Sequence, residues 1–183
     1  MKFLRRKKYL NSLKNIKCVV FDLDGVFTDG GLYVNDDGNF SRKYNVKDGL
    51  GIKMLQKMGL DIVVISGGKG LSLQSRLESL SVTKYFCDVK NKKEVLSKFL
   101  VDNSFSKDDL IFIGDDLNDL VVKDIVKVLI VPQDAEISIK KKSDWILNSK
   151  GGCGAVRELC EDILKANGNW KNFSNHGWFD INI

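Results

Sequence analysis

Four stretches of the chain are apolar at every position: Val19–Phe21, Ile62–Ile65, Leu110–Ile113 and Val128–Val131. Runs of this kind suit strands that are covered on both faces. Between them the apolar period becomes helical. Leu50, Met54, Leu55 and Met58 share one face, as do Leu73, Leu77 and Leu80, and likewise Val95, Leu96, Phe99 and Leu100. Val156, Leu159, Cys160, Ile163 and Leu164 form the clearest stripe, spaced i, i+3, i+4, i+7 and i+8. Strands alternating with helices predict an α/β fold, a parallel Rossmann-like sheet with helices on both faces.

One segment breaks the rhythm. Leu32–Val34 and Phe40–Tyr44 flank the turn signal Asp36-Asp37-Gly38 and predict a small β-hairpin directly after the first strand. The pattern divides the chain into an N-terminal extension over residues 1–15, a domain over 16–167, and a tail over 168–183. The tail has no helical period but carries Trp170, Phe173, Trp178 and Phe179.

Charge sharpens this division. Of 29 basic residues, seven (Lys2, Arg5, Arg6, Lys7, Lys8, Lys14 and Lys17) fall within the first 17 positions, with no acid among them. The remainder carries 22 basic and 24 acidic residues, net −2. A nucleic-acid-binding face is therefore not indicated, and the basic segment is expected to be a solvated, partly frayed extension. The apolar run after it stops at Asp22, too short for a signal peptide, and no run reaches the length of a membrane span. A cytoplasmic protein without membrane partners is expected. Cys18, Cys87, Cys153 and Cys160 show neither C-x-x-C nor metal-site spacing and read as reduced, mostly buried side chains. His176, the one histidine, lies in the tail and is not expected to be catalytic.

Ligands of an open parallel sheet bind beyond the carboxyl ends of its strands. The first strand runs into Asp22-Leu23-Asp24-Gly25, and the second into Ser66-Gly67-Gly68. A strand near Lys84–Phe86 precedes Lys92, and the run Leu110–Ile113 ends in Gly114-Asp115-Asp116-Leu117-Asn118-Asp119. Acids, a hydroxyl and a lysine thus converge on one edge. That set suits phosphoryl transfer: carboxylates for Mg²⁺, metal and lysine to neutralise phosphoryl charge, a hydroxyl and backbone N–H groups as donors, and a carboxylate to attack phosphorus. Two-component receiver domains use similar residues. In them the acid pair comes first and the phosphorylated Asp follows on a later strand, an order this chain does not have.

Phe21-Asp22-Leu23-Asp24-Gly25-Val26-Phe27-Thr28-Asp29-Gly30 resembles the first motif of haloacid-dehalogenase superfamily phosphatases. More narrowly, it resembles the 3-deoxy-D-manno-octulosonate 8-phosphate phosphatases. Lys47-Asp48-Gly49, the Gly114–Asp119 segment and Gly151-Gly152-Cys153-Gly154-Ala155-Val156-Arg157-Glu158 also match that family. The likeness runs from about Ile16 to Asn167.

The resemblance implies that Asp22 is the nucleophile and a Mg²⁺ ligand. It makes Asp24 the general acid and base, with its carbonyl on the metal, and Asp115 the third protein ligand. Asp116 and Asp119 would orient those ligands. Ser66, Gly67 and Lys92 would hold the phosphoryl group, and Asp24, Asn45, Val46, Lys47, Asp48, Gly49 and Arg76 the sugar acid. It further implies hydrolysis of a small acidic sugar phosphate, 3-deoxy-D-manno-octulosonate 8-phosphate in the first place, to the free sugar acid and phosphate for cell-surface polysaccharide synthesis, by a homotetramer whose hairpin replaces a cap domain. Hairpins carrying Leu32, Tyr33 and Val34 would pack together, with Trp178 and Phe179 of the tail near a neighbouring site. The alternatives are a nonulosonate (sialic-acid-type) 9-phosphate phosphatase and a catalytically silent oligomerisation module. Asp24 argues for complete hydrolysis, because an acid there can protonate a leaving alcohol and then activate water. One departure concerns specificity. The family reads T-G-R where this chain has Ser66-Gly67-Gly68, so a guanidinium is missing and Lys69 offers only a point charge. Restoring it by Gly68→Arg is expected to tighten carboxylate binding.

Overall fold

A computed structural model of the chain describes residues 2–177. The apolar runs form the centre of a sheet. Its strands are β1 (Cys18–Phe21), then, beyond the hairpin β2 (Tyr33–Val34) and β3 (Phe40–Ser41), β4 (Asp61–Ile65), β5 (Lys84–Phe86), β6 (Leu110–Ile113), β7 (Val128–Val131) and β8 (Trp145–Ile146). The sheet order is β5-β4-β1-β6-β7-β8, and every pairing is parallel. Phe21 stands opposite Val64 on one side and Ile113 on the other. The segments after β1, β4 and β6 therefore emerge together at one edge.

The helices are α1 (Lys2–Ser12), α2 (Val46–Lys57), α3 (Leu71–Ser79), α4 (Lys92–Asp102), α5 (Ile137–Lys142), α6 (Ala155–Ala166) and α7 (Trp170–His176), with a 3₁₀ segment over Leu117–Ile125. Strand side chains alternate between two cores. Val19, Phe21, Val64, Ile111 and Ile113 join Leu55, Leu77 and Leu159 on one face. Val20, Val63, Ile65, Phe112 and Leu129 join Leu96, Phe99 and Ile139 on the other. Among the described residues no helix is long and apolar enough to cross a membrane.

Three expectations are corrected. The basic N-terminal segment is not frayed: α1 docks on α6. Leu13 is fully buried, Tyr9 stacks on Trp145 with ring centroids 4.2 Å apart, and Arg6 pairs with the buried carboxylate of Asp162. Burying that acid without a cation would be strongly unfavourable, so part of the basic cluster is structural. The tail, expected to lack a helix, forms the short α7, where Arg157 and Lys165 lie 5.7 and 5.0 Å from the Trp170 ring centroid. Trp178 and Phe179 fall outside the described residues. The hairpin strands are only two residues each. They end early because Arg42 turns inward and Asn45 caps α2, accepting from the Lys47 N–H at 2.8 Å. Cys18 and Cys160 are buried, Cys87 is half-buried and Cys153 is exposed, all as free thiols.

The Gly151-Gly152 pair sits under the loop that follows β1. A Cβ at Gly151 would collide with the Gly25 carbonyl, and Gly152 adopts φ +61° while donating its N–H to the Val26 carbonyl at 3.0 Å. Only glycine permits both the approach and the left-handed backbone.

Candidate active site

Asp22 extends β1 by one residue, donating its N–H to the Ile113 carbonyl at 2.9 Å, so its carboxylate is fixed at the sheet edge. Beside it, Ser66 continues β4 and donates its N–H to the Phe86 carbonyl at 2.9 Å. Its hydroxyl accepts from the Gly68 N–H at 3.0 Å. Lys92 opens α4, where Asn91 caps the helix by accepting from the Glu94 N–H at 3.2 Å. The cap aims the buried Lys92 ammonium between two acids, 2.8 Å from Asp22 Oδ1 and 2.6 Å from Asp119 Oδ1. Asp119 turns its other oxygen to the Asp115 N–H at 2.9 Å, locking the loop after β6. Asp116 caps the 3₁₀ segment through the Leu117 N–H at 2.6 Å.

These elements wall a cleft of about 520 Å³ lined by Asp22, Asp24, Gly30, Ser66, Gly67 and Gly68 on one side and residues 115–118 on the other. Asp22, Asp115 and Asp119 each offer a carboxylate oxygen within 4.8 Å of the others. Burial, with Asp119 adding to it and Lys92 opposing it, pushes the Asp22 carboxyl up to about 8. Burial, with Asp119 and Asp116, pushes Asp115 up to about 7. For Lys92 burial works downward, but Asp22 and Asp119 outweigh it and hold the ammonium above its ordinary value. One ammonium is too little for this group of acids. A hard divalent ion such as Mg²⁺, which takes carboxylate oxygens, fits both the donor set and the surplus charge. Asp119 already uses both oxygens on Lys92 and Asp115, so Asp22 and Asp115 are the better-placed side-chain ligands.

The charge surplus has a measurable consequence. Between about pH 4 and 8 the metal-free folded protein holds protons on Asp22 and Asp115 that the unfolded chain, with carboxyls near ~4, has released. Stability then falls as pH rises through that window. EDTA-treated protein should melt several degrees lower at pH 8 than at pH 5.5, and Mg²⁺ should raise the midpoint more at pH 8. A melting point that climbs with pH in EDTA would contradict this.

The sugar-acid set expected from the sequence is divided. Asp24 lines the cleft, but Asn45, Val46, Lys47, Asp48, Gly49 and Arg76 do not. Asp48 is buried and accepts the Arg157 N–H at 2.8 Å, which ties α2 to α6. Arg76 donates to the Asn45 carbonyl at 3.2 Å, and a Cβ at Gly49 would meet that guanidinium at 2.5 Å. Val46 and Lys47 sit exposed at the start of α2.

Two residues near the cleft escaped the sequence reading. Thr28, fully buried, accepts from the Gly25 and Gly30 N–H groups at 3.2 Å each and lies 3.4 Å from Asp24 Oδ1, knitting the loop together. Arg42, at the exit of the hairpin, donates through Nε to Asp24 Oδ1 at 2.8 Å and through Nη2 to Asp24 Oδ2 at 3.2 Å. A Cβ at Gly68 would lie 2.8 Å from that Nη2. The space assigned to a side chain at position 68 is thus already filled by a guanidinium from elsewhere. Gly68→Arg is now expected to weaken binding by displacing it. The signal for Arg42 was faint: an arginine in a polar hairpin looks like a solvated charge.

No protein-family model matches the chain. Known proteins do. It is 34% identical over 156 residues to 3-deoxy-D-manno-octulosonate 8-phosphate phosphatase of Haemophilus influenzae, spanning 85% of this chain and 87% of that one. The Yersinia pestis enzyme of the same name superposes with a TM-score of 0.86 at 30% identity, over 88% of each chain. The Moraxella catarrhalis enzyme, solved with a magnesium ion, a phosphate ion and a KDO molecule, superposes with a TM-score of 0.89 at 29% identity, over 92% of this chain and 97% of that one. With the strand order and the acidic edge, these likenesses place the chain in the haloacid-dehalogenase superfamily of phosphatases, in the family of the 3-deoxy-D-manno-octulosonate 8-phosphate phosphatases.

Proposed function

We propose that the chain hydrolyses 3-deoxy-D-manno-octulosonate 8-phosphate to the free sugar acid and phosphate, with Mg²⁺ as cofactor, by way of a phosphorylated Asp22. The observation that carries this reading is the buried Asp22–Lys92–Asp119 array at the carboxyl edge of the sheet, with Ser66 beside it and Asp115 across the same cleft. The relatives' shared name and the ligands of the Moraxella catarrhalis enzyme support the substrate and the metal.

Asp22, Asp115 and the Asp24 carbonyl would hold the ion, which when bound neutralises charge on the phosphoryl oxygens. Lys92 holds Asp22 Oδ1, setting the rotation of the nucleophile, and contributes a second positive charge. An Asp22 oxygen attacks phosphorus while the bond to the sugar oxygen breaks. Asp24 gives that oxygen its proton, so the leaving group departs as an alcohol. Asp24, now a carboxylate, takes a proton from water as the water attacks the aspartyl phosphate. The bond between phosphorus and Asp22 breaks, and inorganic phosphate and both starting carboxyl states are restored. The Ser66 hydroxyl and the Gly67 N–H would donate to phosphoryl oxygens throughout.

Assembly belongs to the same reading. Tyr33, Val34 and Phe40 of the hairpin, with Leu32, are all about half or more exposed, and a two-stranded ribbon is marginal without a packing surface. Hairpins from four copies meeting in a homotetramer would cover them and bring the exposed Val46 and Lys47 of one protomer toward another.

The test is phosphate release across a panel of sugar phosphates with Mg²⁺ and with EDTA. Octulosonate 8-phosphate should be hydrolysed fastest, and EDTA should stop it. Preference for a nonulosonate 9-phosphate would move the substrate, and no release from any ester would make the chain a silent module.

A further inference from the structure

Arg42 is nearly inaccessible although the hairpin that delivers it is exposed: its side chain is 3% exposed, while β2 and β3 on either side of the turn lie open. The guanidinium is gripped on three sides. Besides its two bonds to Asp24, Nη1 donates to the Lys69 carbonyl at 3.4 Å and to the Ser72 hydroxyl at 3.3 Å. Guanidinium carries five N–H donors, so one on Nη2 is uncommitted among the described residues. That nitrogen lies over Gly68, a residue of the cleft floor, and a Cβ there would meet Nη2 and Asp24 Oδ2 at 2.8 Å each and the Ser66 hydroxyl at 3.3 Å. The absence of a side chain at position 68 is what lets a guanidinium from the hairpin reach Asp24 at the wall of the cleft.

The pairing also occupies Asp24. Both carboxylate oxygens face Arg42, and Oδ1 has Thr28 as well. In the reaction proposed above, one of those oxygens must instead take up a proton from solvent and give it to the oxygen that leaves phosphorus. Arg42 and the leaving oxygen compete for the same carboxylate. What draws a guanidinium from one carboxylate most readily is another of matching planar, bidentate shape.

We propose that Arg42 is a specificity-determining residue that binds the carboxylate of the substrate in exchange for Asp24, so that a carboxylate-bearing phosphoester itself frees Asp24 for the reaction. This rests on the phosphatase reading and adds to it how substrates are chosen. A phosphoester without a carboxylate enters the same cleft but leaves Asp24 held by Arg42. Selection then acts on turnover as well as on binding. A plain staple, with Arg42 only fastening the hairpin to the body, would affect all substrates alike.

The two roles separate in steady-state kinetics with octulosonate 8-phosphate and with p-nitrophenyl phosphate, which has no carboxylate. For Arg42→Ala, KM for the sugar phosphate should rise roughly 10–100-fold, as loss of a charge-assisted bidentate contact implies. kcat for p-nitrophenyl phosphate should rise several-fold, because Asp24 is released. Arg42→Lys, which keeps the charge but not the fork, should fall between. Gly68→Ala keeps the arginine but crowds Nη2 and Asp24 Oδ2 together, so it should raise KM for the sugar phosphate without touching the hairpin, and lower kcat as well. A parallel loss on both substrates in Arg42→Ala, or unchanged KM values in Gly68→Ala, would overturn the exchange. Wild-type protein inert toward every ester would instead remove the phosphatase reading, and this proposal with it.

Discussion

Asp22→Asn is expected to lower turnover on the order of 10⁴-fold or more while raising the melting point of the metal-free protein. The amide is a poor nucleophile toward phosphorus and a weak ligand for a hard cation, so loss of a covalent catalyst of this kind is severe. The stability change runs the other way. Burial and Asp119 disfavour the ionised Asp22 side chain, and a neutral amide of the same shape removes that unfavourable charge. Lys92 keeps Asp119 at 2.6 Å, so no cation is orphaned. At pH 8 the variant should melt above the wild type in EDTA and gain less from Mg²⁺. Phosphate-release assays and thermal melts on one preparation check both halves. Residual activity near the wild-type level would refute Asp22 as nucleophile.

The second large effect is expected at Lys92. Lys92→Met preserves most of the stem but leaves Asp22 and Asp119 facing one another without the ammonium that both contact. Removing one member of a buried charged group costs about 3–5 kcal/mol, and at ~2–4 °C per kcal/mol for a chain of this length the metal-free protein should melt far below the wild type. Mg²⁺ should recover part of that loss by supplying positive charge to the same acids. Activity should remain low even then, because Asp22, the proposed nucleophile, has lost the contact that orients it. Wild-type stability in EDTA would mean that the acids are solvated well enough not to need the lysine.

The sheet was legible because four of its strands are buried on both faces, and such strands leave an unbroken apolar run in the sequence. β8 and α5 were not. Trp145-Ile146 is a two-residue edge strand and Ile137–Lys142 barely more than one turn, too short for any period to develop. The first helix was missed for a different reason. Tyr9, Leu13 and Ile16 mark a buried stripe, but seven basic residues around them suggest solvation, and the acid that neutralises Arg6 is 156 positions away. The acidic edge could be read because each of its parts follows directly on a strand. Arg42 could not, since its partner Asp24 belongs to another element and the opening that admits it appears in the sequence only as the lack of a side chain at position 68.

The contact between Gly151 and the Gly25 carbonyl joins the two ends of the coding order. The loop bearing Asp22 and Asp24 is made early in synthesis, but the glycine pair that braces it from beneath is added some 125 residues later. A nascent chain that has completed its central strands still lacks the brace under the loop that carries Asp22 and Asp24. Phosphatase activity is therefore expected only once the final helices have been made, and a chain broken off before Gly151 should be inactive.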